Sequence, residues 1–210
     1  MSRVLYFPNA LHEELFDILD DVVDFAIHRY SSVILTEAEK QMERMDICRE
    51  LERTVFRQLF YWYIFCSQNG DSQPTIYQQY FQYKRAELEK KREKVKEILI
   101  GWERVKHSFY LVSKADSRSG KVFVTYDVLK KDVHVSIIPI HNHHFPKEGE
   151  MIAGLFLPIG ENTNIALQEL IYFPEYIAAS LITQLDTLHT KSIPYPKLLK
   201  NAFQTVKQMR

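Results

Sequence analysis

From Leu11 onward, apolar residues return every three or four positions: Leu11, Leu15, Ile18, Leu19, Val22, Val23, Ala26 and Tyr30. Glu13, Glu14, Asp17, Asp20, Asp21 and Asp24 occupy the intervening surface. That stripe predicts an amphipathic helix entered at Pro8-Asn9 and broken at Ser31-Ser32. Thr36 followed by Glu39 has capping-box spacing and predicts a second helical start. The helical pattern then continues to about Gln68, with a weak point near Met45-Asp46. Its second half, Val55 to Cys66, is apolar on nearly every side, as expected of a helix central to a core. Asn69-Gly70-Asp71 stops it. Thr75 predicts the cap of a third, long helix reaching about Arg104, with Phe81, Leu88, Val95 and Trp102 at intervals of seven. Within it, Lys84 to Glu97 mixes Lys, Arg and Glu in the manner of a solvated face. A coiled-coil seam would need more heptads than these.

The period changes between Lys106 and Pro174. Five short runs suit pleated, half-buried strands: His107–Ser113, Lys121–Asp127, Val133–Ile138, Met151–Leu157 and Ile165–Phe173. Turn residues separate them at Ala115–Gly120, Val128–Asp132, Phe145–Glu150 and Pro158–Asn162. In the third run Val133, Val135 and Ile137 alternate with His134 and Ser136, so one face can be apolar. In the fourth, Ala153-Gly154 marks a buried strand or one that bends sharply. After Pro174, Glu175–His189 reads as a helix. Pro196 suits the first turn of a last one running from Lys197 to about Lys207.

The pattern as a whole predicts an α+β protein. A helical N-terminal part with a long connecting helix spans 1–104. A small five-stranded antiparallel barrel or curved sheet spans 105–174, and a two-helix C-terminal tail spans 175–210. Composition narrows the functional classes. The 210 residues carry no formal net charge, with 27 basic and 27 acidic side chains. The strongly basic footprint of a nucleic-acid-binding domain is thus missing. Aromatic residues reach 13%, suited first to core seams and then to partner surfaces. The two cysteines, Cys48 and Cys66, form no CxxC pair and are expected to be buried free thiols. The N-terminus lacks the apolar core of a signal peptide, and Phe60–Cys66 is too short to span a bilayer. A cytoplasmic protein without a membrane partner is the expectation.

The stretch from Phe60 to Phe173 resembles a group of uncharacterised bacterial proteins associated with the SecA-C-terminal-like (SEC-C) zinc motif. The shared pattern begins with the aromatic helix Phe60-Tyr61-Trp62-Tyr63-Ile64-Phe65. It continues through the Thr-started helix at Pro74-Thr75-Ile76-Tyr77, then Ile98-Leu99 and Trp102. Tyr126-Asp127-Val128-Leu129 stands in place of the group's Asp-Leu-Leu. Lys147-Glu148-Gly149 then leads into Gly154-Leu155-Phe156-Leu157-Pro158. The closely spaced cysteines of the zinc motif are absent here, so the resemblance implies a relative without that motif and brings no established activity.

No P-loop, GxGxxG, HExxH or GxSxG motif occurs, and no cofactor is called for. One cluster stands out: His141-Asn142-His143-His144, with His134 upstream. Imidazoles suit zinc, copper or nickel, and in a strand His141 and His143 would share a face. A polar loop between Pro139 and Pro146 accounts for the same residues more simply. The resulting expectation is a non-catalytic binding or adaptor protein with a protein partner, using barrel turns and residues such as His143 and Phe145. One alternative is a metal-dependent enzyme built on His134, His141, His143 and His144. Another is an RNA- or ribosome-associated factor.

Overall fold

The computed structural model describes residues 10–67, 73–115, 121–138, 146–167, 170–189 and 193–209. The chain begins with one long helix, α1 (Ala10–Glu43), which passes through Ser31-Ser32 without a break. Serine is a tolerable helix residue, and the apolar stripe continues beyond it in Ile34 and Ala38, both buried. Thr36 therefore lies inside a helix and caps nothing. The chain turns instead at Asp46, whose φ of 50° is left-handed, a conformation Asp tolerates better than most residues. Helix α2 (Arg49–Phe65) follows and buries Leu59, Tyr61, Tyr63, Ile64 and Phe65. Cys48 and Cys66 flank it; Cys48 is exposed, contrary to expectation, and Cys66 is partly buried.

The long connecting helix does not form. Its place is taken by α3 (Ile76–Tyr83), the single turn α4 (Arg85–Leu88) and α5 (Glu93–Trp102). The capping box at Thr75 is present: its Oγ1 accepts from Gln78 N, and Gln78 Oε1 accepts from Thr75 N at 2.9 Å. Within the charged stretch, Leu88 and Val95 are both buried. Between them the chain leaves the helix, and Lys91 and Arg92 reach Glu14 of α1 at 3.2 and 2.6 Å. These two cations hold the Glu14 carboxyl below the usual range, with the Arg92 hydrogen bond the larger influence.

The sheet has seven strands: β1 (Ser108–Ala115), β2 (Val122–Asp127), β3 (Asp132–Ile137), β4 (Met151–Gly154), β5 (Phe156–Pro158), β6 (Thr163–Ala166) and β7 (Ile171–Phe173). Their order is β5-β6-β3-β2-β1-β4-β7. The expected five antiparallel strands are thus corrected to a mixed sheet, because β3 and β6 run parallel. The fourth run divides at Leu155. Its first arm pairs with β1 and its second with β6, while Leu155 O accepts from Leu167 N at 2.9 Å. Since β4 and β5 are consecutive arms of one bent strand, the pairings lead back to β1 and the sheet curls into a half-barrel.

Alternation along the strands sends side chains to two apolar clusters. Tyr110, Val112, Phe123, Ile152, Phe156 and Ala166 fill the inside of the curl. Phe109, Ile137, Met151, Leu157, Ile165 and Phe173 face outward and join the helices in the larger cluster. The last helices, α6 (Glu175–His189) and α7 (Tyr195–Gln208), close this layer, with Pro196 in the first turn of α7 as expected. Trp102, 1% exposed, links α5 to the sheet by donating from Nε1 to Pro158 O at 2.8 Å. Among the described residues, no helix is long and apolar enough to cross a membrane.

Candidate functional site

His141, His143, His144 and Phe145 lie outside the described residues. His134 lies on β3, in register with Thr125, and its Nε2 is 3.8 Å from Asp132 Oδ2. Among the described residues, no group of three or more His, Cys, Asp or Glu side chains is placed to hold a metal ion.

The outward face of β1–β2–β3 departs from the usual burial of apolar side chains. Along β3, exposure of the outward residues rises from 4% at Ile137 to 38% at Val135 and 59% at Val133. The polar residues point the other way. Ser136 is fully buried and bonds to Thr125 Oγ1 at 2.7 Å inside the curl. The alternation expected for this strand is therefore present, with its apolar face toward solvent. Register extends the patch: Val133 opposes Tyr126, which opposes Leu111, and Val135 opposes Val124, which opposes Lys114. A bulge between Val112 and Lys114 carries Lys114 to the rim of this face. On the same side, Ile137 and Ile165 belong to the cluster shared with the helices, the partly buried Leu111, Val122 and Tyr126 pack against it, and Lys131 bonds to Asp186 of α6; Val133 and Val135 stay exposed.

A second constellation is buried where β1 meets α2 and α7. Cys66 Sγ lies 3.5 Å from His107 Nδ1 and donates to Val105 O at 3.6 Å. The His107 ring packs on Tyr195, with centroids 4.5 Å apart. On the inner side, Asp127 Oδ1 accepts from Ser108 Oγ at 2.5 Å and from the Leu129 and Lys130 N–H groups at 3.0 Å. This Asx arrangement folds the β2–β3 turn. His107 Nε2, Asp127 Oδ2 and the Tyr195 hydroxyl are buried without a hydrogen-bond partner among the described residues.

Burial sets the chemistry of this cluster. It pushes the Cys66 thiol up to about 12 and the His107 imidazole down to about 3, the Gln58 backbone acting in the opposite direction. The Tyr110 and Tyr195 hydroxyls are also raised, chiefly by burial. Thiol and imidazole are both neutral near pH 7, whereas an activated cysteine needs a thiolate stabilised by a nearby cation. As placed, the pair is a polar seam of the core. Sequence reasoning did not single it out: Cys66 ends an apolar run, His107 is the lone histidine that opens the first strand run, and Tyr195 lies between prolines.

An open cleft of about 410 Å³ lies between the end of α1 and the start of α2, lined by Glu39, Met42, Glu43, Asp46, Ile47 and Glu52. Lys207 of α7 bonds to Asp46 at its edge. Comparison with family models, curated proteins and solved structures finds no match for this chain.

Proposed function

We propose that this protein is a non-catalytic binding or adaptor protein whose working surface is the outward face of β1–β2–β3. One observation carries the reading: Val133 and Val135 stand in solvent on a three-strand apolar patch while their polar neighbours Ser136 and Thr125 are buried. Contiguous apolar surface of this kind is kept where something docks. A rigid sheet supports the patch, so little ordering opposes binding. Burial of the neutral Cys66–His107 pair is in keeping with a binding role. The likeness to SEC-C-associated proteins adds architecture to this reading and no activity.

With no net formal charge, the partner is held by shape and apolar contact more than by long-range attraction, so salt weakens capture only modestly. The test is affinity capture from native extract with the wild type, Val133→Lys and Val135→Lys, each checked by circular dichroism. Folded variants that lose the captured protein support the reading; undiminished capture by both overturns it. Release by nuclease treatment would move the assignment to an RNA-associated factor.

A further inference from the structure

The seam between β1 and α7 holds chemistry that the docking face does not use. Cys66 caps the end of α2, and its Sγ lies 3.5 Å from His107 Nδ1. The Tyr195 ring, in the first turn of α7, packs on the same imidazole. His107 and Tyr195 are each 4% exposed. The Tyr195 hydroxyl is buried there without a hydrogen-bond partner among the described residues, close enough to Cys66 to be influenced by the thiol. An unpaired hydroxyl loses its hydration on burial and gets nothing back, so it opposes the docking of this turn. Further along, α7 is held by Leu198, Leu199, Ala202 and Phe203, by Thr205 on Gln184 at 2.7 Å, and by Lys207 on Asp46. The first turn is thus the weak end of the contact, where local opening begins.

Opening changes the state of the pair. Burial is the largest influence on the Cys66 thiol, while the His107 backbone, Lys106 and Lys130 all act the other way. The remaining titratable groups at the seam are Tyr110 of β1 and Asp127 of β2. Water admitted past Tyr195 removes the burial that keeps thiol and imidazole neutral. The thiol proton can then pass to His107 Nδ1, leaving a thiolate beside an imidazolium and two lysines. We propose that α7 is a removable cover over a Cys66–His107 nucleophile, which takes soft electrophiles when the first turn lifts. This chemistry is independent of the docking face.

Iodoacetamide is the probe: the sulfur bonds to its methylene carbon, iodide leaves, and the thiol proton goes to His107 Nδ1. The full chain carries Cys48→Ser, which removes the exposed thiol. Below the unfolding transition, labelling of Cys66 should rise with urea along a shallower slope than global unfolding. Tyr195→Phe keeps the ring, deletes the unpaired hydroxyl and should slow labelling several-fold. Tyr195→Ala should speed it several-fold. The pH profile of labelling should contain a component near the ordinary imidazole value of about 6.5. His107→Gln should leave only the thiol titration near about 8.5. A urea slope equal to that of unfolding, or a rate unchanged in Tyr195→Phe, overturns the cover. A pH profile unchanged in His107→Gln overturns the pair. Urea midpoints of every variant confirm that the fold is kept.

Discussion

Trp102 shows how one side chain joins two layers. Its indole packs near Phe65 and Tyr77, at centroid distances of 6.3 and 6.0 Å, and its N–H satisfies the Pro158 carbonyl. Trp102→Ala is expected to destabilise by about 3–5 kcal/mol. Trp102→Phe keeps much of the packing, leaves that carbonyl unpaired and should cost about 1–3 kcal/mol; urea unfolding measures both. Its burial was legible in the seven-residue recurrence from Phe81. His107 was not, because a lone histidine at the start of an apolar strand run has no period. It makes a pH prediction. The unfolded imidazole titrates near 6.5 and the folded one near 3, so between those values the unfolded chain binds the extra proton. The contribution is present above pH 6.5 and is lost as pH falls toward 3, with a slope approaching about 1.4 kcal/mol per pH unit. Relative to the wild type, His107→Gln should lose this component of the acid sensitivity in unfolding midpoints measured across that range.

At the scale of elements, local chemistry was readable wherever it acts on its own. The Thr75 cap is an example: Thr75→Ala should lower stability by about 1 kcal/mol, measurable as a shifted urea midpoint without loss of helix at 20 °C or so. The bend in the fourth strand was visible in Ala153-Gly154. A Cβ at Gly154 would lie 2.5 Å from Leu170 Cδ2 and 3.2 Å from Gln58 Nε2. Gly154→Ala should therefore destabilise by about 1–3 kcal/mol through overpacking, again read in unfolding. What escaped the sequence depends on partners distant in the chain. The helix expected from Thr75 to Arg104 is broken at Lys90–Arg92, where Lys91 and Arg92 pair with Glu14, far away in the chain. Ser31-Ser32 stays helical because Ile34 and Ala38 extend a buried stripe. The parallel β3–β6 pairing has no local signature, and the alternation of β3 identifies an apolar face without saying which side of the sheet it takes.

Across the whole molecule, one apolar cluster runs from Leu15 of α1 through Trp102, Phe109 and Met151 to Phe203 of α7. Helices and sheet share it, so heat or urea is expected to melt them together. Tryptophan fluorescence and far-ultraviolet dichroism should give coincident transitions; separated midpoints would show that the layers hold independently. The Trp102–Pro158 link also bears on how the chain is made. Its two ends are 56 residues apart, and at about 5–20 residues per second the ribosome needs roughly 3–11 s to synthesise that interval. During that time the residues of α1 to α5 have been made while β5, whose Pro158 carbonyl takes the Trp102 N–H, is still being translated. The nascent chain thus presents an aromatic helical face before its lid exists, and the bent strand at Leu155 is the segment whose arrival ends that exposure.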